Sequence, residues 1–305
     1  IKRNNILILT MSDLKKIYLE FIRRQETSGE RFQDKLKQLT KFYLPICDKL
    51  FKLYKSKNRT LLIGLSGSQG SGKSTVSQIL KIIFDSNFNL NVVCFSIDDF
   101  YKTLSERKKM SKSIHPLFMT RGVPGTHDSK MLYNTIKILL KKKFKTIKIP
   151  RFDKSIDDRL KSKYWQKIKN KPDIIIFEGW CVGANPQPSK ELEKPINILE
   201  KGEDTKLTWR KKVNNELKTN YKKIYNLLDK KIYLKVPNFK YVLKWRLLQE
   251  KKLRLKSKKK AMTDKQIKRF IMFYERLTKN MTKEYKKNDT VIFIDESHKI
   301  KSIKF

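Results

Sequence analysis

One short segment constrains the fold of this chain more than any other. A nearly continuous apolar run at residues 61–66 leads into Gly67, and after four more residues the chain reads Gly72-Lys73-Ser74. An apolar stripe with helical spacing follows at Val76, Ile79, Leu80, Ile83 and Phe84. A buried strand, a glycine-rich turn and a helix in this order predict a phosphate-binding loop in an α/β fold.

The residue types in this loop match the chemistry of phosphate binding. Glycines let the backbone N–H groups turn inward around phosphate oxygens, and Gly70 adds a third glycine. Lys73 is placed to reach the β- and γ-phosphates of a nucleotide, and the Ser74 hydroxyl is a ligand for Mg²⁺. We therefore expect ATP and Mg²⁺, with these residues binding ATP: Gly67, Ser68, Gly70, Ser71, Gly72, Lys73, Ser74 and Thr75.

The remainder of the chain alternates between strand and helix patterns. Short apolar runs recur at 92–97, 146–149, 174–177, 232–234 and 291–294, with helical stripes between several of them. Asp128 is expected to cap one helix, and Thr263 with Gln266 forms a capping box for another. The alternation predicts three layers, α/β/α, around a mainly parallel sheet with right-handed crossovers.

The first part of the chain has only helical patterns. An apolar stripe begins at Leu14, and Pro45 is expected to break or kink a second helix. We predict a helical N-terminal extension at 1–58 that packs on a core domain at 59–305. Met11 is a plausible start of translation.

The charge of the chain points first to nucleic acid. Lys and Arg number 72 against 30 Asp and Glu, which gives a net charge of +42. However, 58 of the cations are Lys and only 14 are Arg, and the lysines are spread over the whole chain. Surfaces that read bases use Arg and concentrate their charge. We therefore expect a solvated lysine coat and no specific nucleic-acid partner.

Other classes of protein are excluded by composition. The longest apolar runs are far shorter than the 18 residues of a membrane span, and the first residues lack the pattern of a signal peptide, so no membrane partner is expected. The three cysteines, Cys47, Cys94 and Cys181, lie far apart. They are expected to be buried thiols in a reducing compartment, which indicates the cytoplasm.

Two of the predicted strands end in acidic residues, at the sheet edge that would carry the phosphate loop. Residues 96–101 read Ser-Ile-Asp-Asp-Phe-Tyr, and residues 174–179 read Ile-Ile-Ile-Phe-Glu-Gly. Asp98 or Asp99 is suited to accept a proton from an attacking hydroxyl or to hold a metal, or else to cap the next helix. Glu178 is expected beside the metal, where it would order the metal's water shell.

Two loop segments concentrate arginine, lysine, histidine and aspartate. Residues 121–128 read Arg-Gly-Val-Pro-Gly-Thr-His-Asp, and residues 151–159 contain Lys154 and Arg159. These cations suit an anionic small substrate because a guanidinium pairs with a carboxylate through two hydrogen bonds. Surface ion pairs are the alternative interpretation.

A late helix carries two of the few arginines. Arg246 and Arg254 precede a lysine patch at 256–260, which is predicted to be a mobile loop. This arrangement predicts a helical lid near 245–262 that closes over phosphates, although an ordinary solvated helix face fits the sequence nearly as well.

In this order, the motifs resemble those of the D-glycerate 3-kinases in the phosphoribulokinase and uridine kinase superfamily. The similarity runs from about Leu61 to the C-terminus and includes Phe-Glu-Gly-Trp-Cys-Val-Gly from Phe177 and Trp-Arg-Leu-x-Gln-Glu-x-x-Leu-Arg from Trp245. It implies a kinase that transfers the γ-phosphoryl group of ATP to the 3-hydroxyl of D-glycerate, giving 3-phosphoglycerate.

The resemblance also implies roles for individual residues. Asp98 matches the superfamily's catalytic carboxylate, with Lys73 and Arg246 completing the catalytic set. Glu178 and Ser74 would place Mg²⁺, and Arg246 with Arg254 would belong to the lid. The candidate substrate contacts are Asp99, Tyr101, Arg121, His127, Lys154 and Arg159.

The chain departs from the family pattern at one loop. The family has a glycine-bearing stretch between Asp-Lys-Ser and Asp-Arg, whereas only Ile156 and Asp157 separate Ser155 from Asp158 here. The acceptor alternatives are therefore uridine, pantothenate or another small hydroxyl compound. A nucleic-acid-binding ATPase and a phosphate-loop scaffold without catalysis are further alternatives, and the chain is expected to be a monomer or a homodimer.

Overall fold

The computed structural model describes residues 10–26, 32–256, 262–283 and 288–305. Its strands are β1 (Leu61–Gly67), β2 (Val92–Ser96), β3 (Ile147–Ile149), β4 (Phe152–Asp153), β5 (Asp158–Arg159), β6 (Gln166–Ile168), β7 (Ile174–Gly179), β8 (Lys230–Lys235), β9 (Thr290–Ile294) and β10 (Ile300–Lys304). Six of them form the central sheet in the order β10-β9-β8-β1-β7-β2. All neighbouring pairs in it are parallel except β9 and β10.

The α-helices are distributed along the whole described chain. They are α1 (Met11–Gln25), α2 (Lys35–Gln38), α3 (Leu44–Lys57), α4 (Lys73–Asn87), α5 (Leu104–Ser113), α6 (Ser129–Leu139), α7 (Ser189–Glu193), α8 (Ile198–Glu203), α9 (Thr208–Glu216), α10 (Lys222–Tyr225), α11 (Phe239–Lys256) and α12 (Asp264–Met281). Asp128 caps α6, and Thr263 with Gln266 forms the capping box of α12, as the sequence predicts.

The sheet has one hydrophobic core on each face, which gives the predicted three layers. Along β1, the side chain of Leu62 belongs to one core and those of Leu61 and Ile63 belong to the other, as the alternation of a strand requires. Helices α6, α9, α10 and α12 contribute to the first core, and helices α1, α3, α4 and α11 contribute to the second. The strands of this sheet are nearly continuous apolar runs because both faces are covered.

The N-terminal helices share the second core with the sheet. Leu14 and Tyr18 of α1 and Leu50 of α3 are buried in the same cluster as Leu61 and Ile63 of β1. A π-helical stretch at Leu39–Tyr43 joins α2 to α3 and precedes Pro45. Since proline has no N–H to donate and its ring crowds the preceding turn, a widened turn at this point is the expected distortion.

The expected strand at 146–149 lies outside the central sheet. The chain forms β3 there, but β3 pairs with β6 in a separate two-stranded sheet. The sixth strand of the central sheet is β10, an antiparallel edge strand that the sequence analysis did not predict. Only Ile300 of β10 is buried, so its sequence lacks the continuous apolar run of the inner strands.

Cys47, Cys94 and Cys181 are free thiols; Cys47 and Cys181 are buried as expected, whereas Cys94 is only half-buried. None of the helices in the described ranges combines the length and the apolarity that crossing a bilayer requires.

Candidate active site

The phosphate loop connects the end of β1 to the first turn of α4. Gly70 and Gly72 have φ values of 75° and 85°, in the region that favours glycine. Gly72 occupies the N-cap position of α4 and supplies no side-chain cap, so the N–H groups of the first turn are available to an anion. The Lys73 ammonium donates a hydrogen bond to the carbonyl oxygen of Ser68 at 2.8 Å, across the loop.

The loop fits a phosphate chain by its unsatisfied polar atoms. The hydroxyls of Ser68 and Ser71 are buried and have no hydrogen-bond partner among the described residues. Buried hydroxyls without partners are costly, and phosphate oxygens would satisfy them. Burial lowers the pKa of Lys73 despite the nearby carboxylates of Glu178 and Asp98. These features fit the ATP-binding role expected for residues 67–75.

Ser74 and Glu178, the two residues expected to place Mg²⁺, are in direct contact. The Ser74 hydroxyl donates to Oε1 of Glu178 at 3.0 Å. Burial raises the pKa of Glu178, and the ammonium of Lys73 opposes that shift. Within the described ranges no three His, Cys, Asp or Glu side chains form a metal-binding cluster. Mg²⁺ typically takes one or two protein oxygens together with substrate phosphates and waters, so this pair fits it.

The parallel register brings the acids of β2 and β7 beside the phosphate loop. β7 lies between β1 and β2, with Gly179 paired to Ser66 and Glu178 paired to Ser96. Asp98 follows β2 in a 3₁₀ turn at Ile97–Phe100. The carboxyl ends of three adjacent strands therefore carry the loop, Glu178 and Asp98, as expected for a ligand site in a parallel sheet.

Both oxygens of Asp98 are held by neighbouring groups. Tyr101 donates its hydroxyl to Oδ1 at 2.8 Å, and the Lys154 ammonium donates to Oδ2 at 2.7 Å. Burial raises the pKa of Asp98, but the ion pair with Lys154 and the two hydrogen bonds outweigh burial and lower the pKa to about 2. Asp98 is therefore ionised at neutral pH, and its remaining lone pairs are available to a substrate hydroxyl.

Asp99 has a different environment from its neighbour. Its carboxylate accepts the backbone N–H of Ser96 at 3.1 Å and completes a capping box for the 3₁₀ turn. Arg151 lies 3.4 Å from the same carboxylate. Burial raises the pKa of Asp99 despite this arginine. The capping alternative therefore describes Asp99, and its proposed contact with substrate stays a prediction.

His127 lies in a buried aromatic cluster beside Asp98. Its ring stacks on Tyr101 with centroids 4.6 Å apart, and its Nδ1 lies 2.6 Å from the hydroxyl of Tyr221. The Tyr221 oxygen already accepts the N–H of Gly125 at 3.0 Å, so the hydroxyl proton is best donated to Nδ1. The imidazole proton then resides on Nε2.

The charge state of His127 follows from its burial. Burial lowers the pKa of His127 to about 4, although the Asp98 carboxylate pulls in the other direction. The ring is therefore neutral at pH 7. Its Nε2 is buried and has no hydrogen-bond partner among the described residues. A neutral N–H donor without a partner among the described residues, beside the Asp98 carboxylate, is suited to a hydroxyl or carboxylate oxygen of a substrate.

The short loop after Ser155 is a tight hairpin turn that presents Lys154. It connects β4 to β5, and Asp157 has a φ of 55° there. Asp157 pairs with two arginines, the buried Arg107 at 2.9 Å and also Arg121. The Asp98 carboxylate raises the pKa of Lys154. The shortened loop thus still delivers a cation to Asp98.

Arg159 and Arg121 approach the same region from two loops. Arg159 donates to the carbonyl oxygen of Tyr101 at 2.8 Å, and its buried Nε has no partner among the described residues. The guanidinium of Arg121 lies 5.5 Å from the centre of the Phe152 ring. The structure therefore gathers the candidate contacts Tyr101, His127 and Lys154 at Asp98. Arg121 and Arg159 lie in the next layer, beside Lys154 and Tyr101.

The two arginines expected in a lid differ in position. Gly70 packs directly on α11, since a side-chain carbon on this glycine would lie 2.9 Å from Cβ of Trp245. Arg246 is the residue after Trp245 and therefore lies next to this contact, and its guanidinium pairs with Glu250 at 2.6 Å. Arg254 lies about two turns further along the helix and bonds to Asp264 at 3.0 Å. Only Arg246 is beside the phosphate loop, and residues 257–261 of the expected lid lie outside the described residues.

A cavity of about 650 Å³ adjoins the phosphate loop. Its lining includes Gly72 and Thr75 of the loop, the end of β9 at Ile294, and Trp245 of α11. Small-molecule sites typically have volumes of roughly 300–1,000 Å³. The cavity is therefore large enough for the nucleoside part of a nucleotide whose phosphates occupy the loop.

Several known proteins are similar to this chain in sequence. The model of the phosphoribulokinase / uridine kinase family matches residues 62–210. The chain is 34% identical over 241 residues to the protein named uncharacterized kinase mug58 of Schizosaccharomyces pombe, which covers 75% of this chain and 85% of that protein. The chain belongs to the phosphoribulokinase / uridine kinase family. It is an ATP-dependent kinase of that superfamily.

Further relatives carry a more specific name. This kinase is 29% identical over 254 residues to the chloroplastic D-glycerate 3-kinase of Arabidopsis thaliana, covering 78% of this chain and 53% of that protein. The solved structure of a D-glycerate 3-kinase from Cryptococcus neoformans aligns with a TM-score of 0.72 at 23% identity, over 89% of this chain and 99% of that one. The latter similarity establishes the fold that the two proteins share.

Several groups in the kinase site were not found by sequence reasoning. Tyr274 of α12 donates to the carbonyl oxygen of Arg121 at 3.1 Å and also bonds to the Gln69 side chain. Gly122 has a φ of 134°, and a side chain there would collide with the Tyr274 hydroxyl. Tyr221 orients His127. The signal for both tyrosines is their buried hydroxyl, which a sequence pattern of apolar spacing does not reveal.

Proposed function

We propose that this kinase transfers the γ-phosphoryl group of ATP to the 3-hydroxyl of D-glycerate and forms 3-phosphoglycerate. The observation that carries the proposal is the group of cations and donors around Asp98, namely Lys154, Arg121, Arg159 and the neutral His127. An acceptor that is small and carries a carboxylate would match these groups, because guanidinium and ammonium groups pair with carboxylates. The D-glycerate 3-kinase of Arabidopsis thaliana among its relatives supports this acceptor.

In the proposed reaction, Asp98 orients the acceptor hydroxyl for attack on the γ-phosphorus. The new bond joins the 3-oxygen to phosphorus, and the bond between the γ-phosphorus and the bridging oxygen of ADP breaks. The hydroxyl proton passes to Asp98 and then to solvent. A carboxylate with a pKa near 2 is a weak base. That strength suffices where the transition state is loose and the proton leaves late.

The cations at the other end of the site would stabilise the transferred group. Lys73 reaches the β- and γ-phosphates from the phosphate loop, and Arg246 is placed beside that loop. Ser74 and Glu178 would hold Mg²⁺, which when bound neutralises charge on the same phosphates. Preorganised positive charge where negative charge develops is the main source of rate in phosphoryl transfer.

The proposal is tested by incubating the purified protein with ATP, Mg²⁺ and a panel of acceptors. D-glycerate, L-glycerate, uridine and pantothenate cover the alternatives left by the short loop at 155–158. ADP release is expected with D-glycerate, and phosphorus NMR should show the phosphate on the 3-oxygen. Turnover of another acceptor with none of D-glycerate would refute the proposal, and Lys73→Ala is the inactive control.

A further inference from the structure

The N-terminal helices form the outer wall of the cavity beside the phosphate loop. Gln25 at the end of α1, Phe32 and Gln33 before α2, and Tyr43 before α3 all line it. The family model begins only at residue 62, so these four residues lie outside the matched segment. The extension therefore lines the same cavity as the phosphate loop in the described structure.

We propose that this N-terminal wall binds the purine base of ATP, with Phe32 as a stacking surface and Gln33 at the polar edge of the base. The inference concerns the nucleotide and is independent of the acceptor named above. The phosphate loop and the wall line one continuous cavity, so a nucleotide bound by its phosphates would extend into it.

The side chains of the wall have the chemistry that a purine needs. Phe32 leaves 37% of its surface exposed, a large fraction for a phenylalanine that lines a cavity. Stacking of a base on an aromatic ring contributes roughly 1–3 kcal/mol. Gln25, Gln33 and Gln249 also line the cavity, and an amide can both donate to and accept from an adenine edge.

The backbone of Phe32 is held by the Glu26 carboxylate. Its backbone N–H donates to the Glu26 carboxylate at 2.8 Å, and the same carboxylate pairs with Lys35 at 2.7 Å. Tyr18 of α1 donates to the carbonyl oxygen of Lys35 at 3.1 Å. The backbone that carries Phe32 is thus anchored to α1 and α2.

Hydrogen bonds connect this wall to the phosphate loop. The amide of Gln38 makes two hydrogen bonds with the backbone of Ile300, at 2.9 and 3.1 Å. Two residues earlier, the ring of His298 lies 2.8 Å from the carbonyl oxygen of Gly70 and stacks on Trp245 at 3.9 Å. The extension, the start of β10 and the phosphate loop therefore form one connected enclosure.

The test compares a ligand that carries a purine base with a ligand that has phosphates but no base. Binding of a non-hydrolysable ATP analogue and of inorganic tripolyphosphate is measured by calorimetry with Mg²⁺ and without any acceptor. Phe32→Ala is expected to weaken binding of the ATP analogue by about 5- to 100-fold, as stacking energies imply. The affinity for tripolyphosphate should stay within twofold of the wild-type value. Leu36→Ala is the matched control, because Leu36 is an exposed apolar residue of the same extension outside the cavity lining.

Two further variants complete the test. Phe32→Tyr should retain the affinity for the ATP analogue, because it keeps the aromatic ring. Gln33→Ala should bring the affinities for the ATP and GTP analogues closer together, because the amide is proposed to lie at the polar edge of the base. The inference would be overturned if Phe32→Ala lost equal affinity for the ATP analogue and for tripolyphosphate, or if it lost affinity for neither. Because binding is measured without an acceptor, these outcomes are distinct from a failure of D-glycerate as substrate.

Discussion

Two adjacent aspartates show how position decides the role of a residue at this site. Asp98 and Asp99 follow the same strand, but ion pairing lowers the pKa of Asp98 to about 2, against the effect of burial, while burial raises that of Asp99. Asp98 shares its carboxylate with Lys154 and a tyrosine hydroxyl, whereas Asp99 closes a capping box. The first is therefore available to chemistry, and the second stabilises the turn that presents it.

Asp98→Asn is expected to reduce turnover by at least about 10²-fold, the usual effect of losing a general base. The amide is similar in size but has lost the charge that orients the hydroxyl and pairs with Lys154. The affinity for ATP should be nearly unchanged because Asp98 lies outside the phosphate loop. Steady-state kinetics and nucleotide binding by calorimetry measure the two effects separately.

The neighbouring Asp99→Asn variant is the control for this experiment. It weakens the capping box and the pairing with Arg151, so the expected result is a lower melting temperature with turnover per folded molecule largely kept. If Asp99→Asn abolished turnover at unchanged stability while Asp98→Asn remained active, the roles of the two residues would be exchanged.

Tyr221 is expected to act through His127 as a positioning residue. Tyr221→Phe removes the donor to Nδ1, so the imidazole proton is free to move from Nε2 to Nδ1. We expect kcat/KM for the acceptor to fall roughly tenfold, as for the loss of about one hydrogen bond, while KM for ATP stays constant. The backbone N–H of Gly125 also loses its partner, so stability should decrease as well.

A double-mutant cycle separates the two effects of this change. If Tyr221 works by orienting His127, then Tyr221→Phe should cost little activity in a His127→Asn background. Additive losses of kcat/KM in the double variant would show that Tyr221 is only a structural residue.

At the level of elements, the β4–β5 hairpin depends on one buried arginine. Arg107 of α5 is 1% exposed and donates to the carbonyl oxygens of Met119 and Asp157, at 2.7 and 2.6 Å. Its ion pair with the Asp157 carboxylate fixes the turn that carries Lys154. Arg107 thus connects helix α5, the loop at 116–119 and the hairpin.

Arg107→Met is expected to destabilise the protein by about 3 kcal/mol, because it leaves buried carbonyl groups without partners. Turnover should also fall, since Lys154 is no longer held at Asp98. Lys108→Met, at the exposed neighbouring position, should change neither property. Chemical denaturation and steady-state kinetics of both variants provide the comparison, and equal stability of the two would contradict this role for Arg107.

The elements also differ in how far the sequence predicts them. The strand, loop and helix at 61–84 and the acids after β2 and β7 are local patterns, and parallel pairing then brings them together. The role of Arg107 is not local, because its partners lie as far as 50 residues away along the chain. Edge strand β10 and the cavity wall at Phe32 likewise depend on contacts between distant segments, which no periodicity encodes.

At the scale of the whole molecule, buried His127 makes stability depend on pH. Its pKa is lowered by burial from 6.5 to about 4, so the unfolded chain binds this proton more readily than the folded one. Neutral His127 makes its full contribution to the free energy of unfolding above pH 6.5. That contribution, roughly 3 kcal/mol in total, is lost as the pH falls through 4. The raised pKa values of Asp99 and Glu178 act in the opposite direction.

The contribution of His127 is isolated by comparison with a His127→Asn variant, whose amide oxygen still accepts from Tyr221 but does not titrate. The stability of wild type relative to this variant should decrease between pH 7 and pH 4 in denaturation experiments. A difference that stays constant over this range would show that the ring is already protonated or remains solvated.

Lysine and arginine, which together give the net charge of +42, differ in where they lie in the structure. Arg107 and Arg210 are buried in ion pairs, whereas no lysine in the described ranges is among the buried side chains. Arginine is thus used for internal structure and for the site, and lysine mainly coats the surface. A coat of this kind attracts phosphate backbones without reading them.

We therefore predict that nucleic acid binds this kinase only through its charge. At 50 mM salt, binding to DNA or RNA should be detectable and insensitive to sequence, and it should fall by about 10³-fold or more at 200 mM salt, because released counterions drive it. The ATPase activity should show no stimulation by either polymer, because the acceptor that we propose around Asp98 is a small molecule. Fluorescence anisotropy across a salt series measures the first effect, and ADP release with and without polymer measures the second. Sequence-selective binding that persists at high salt, together with stimulated ATP hydrolysis, would instead support the nucleic-acid-dependent ATPase.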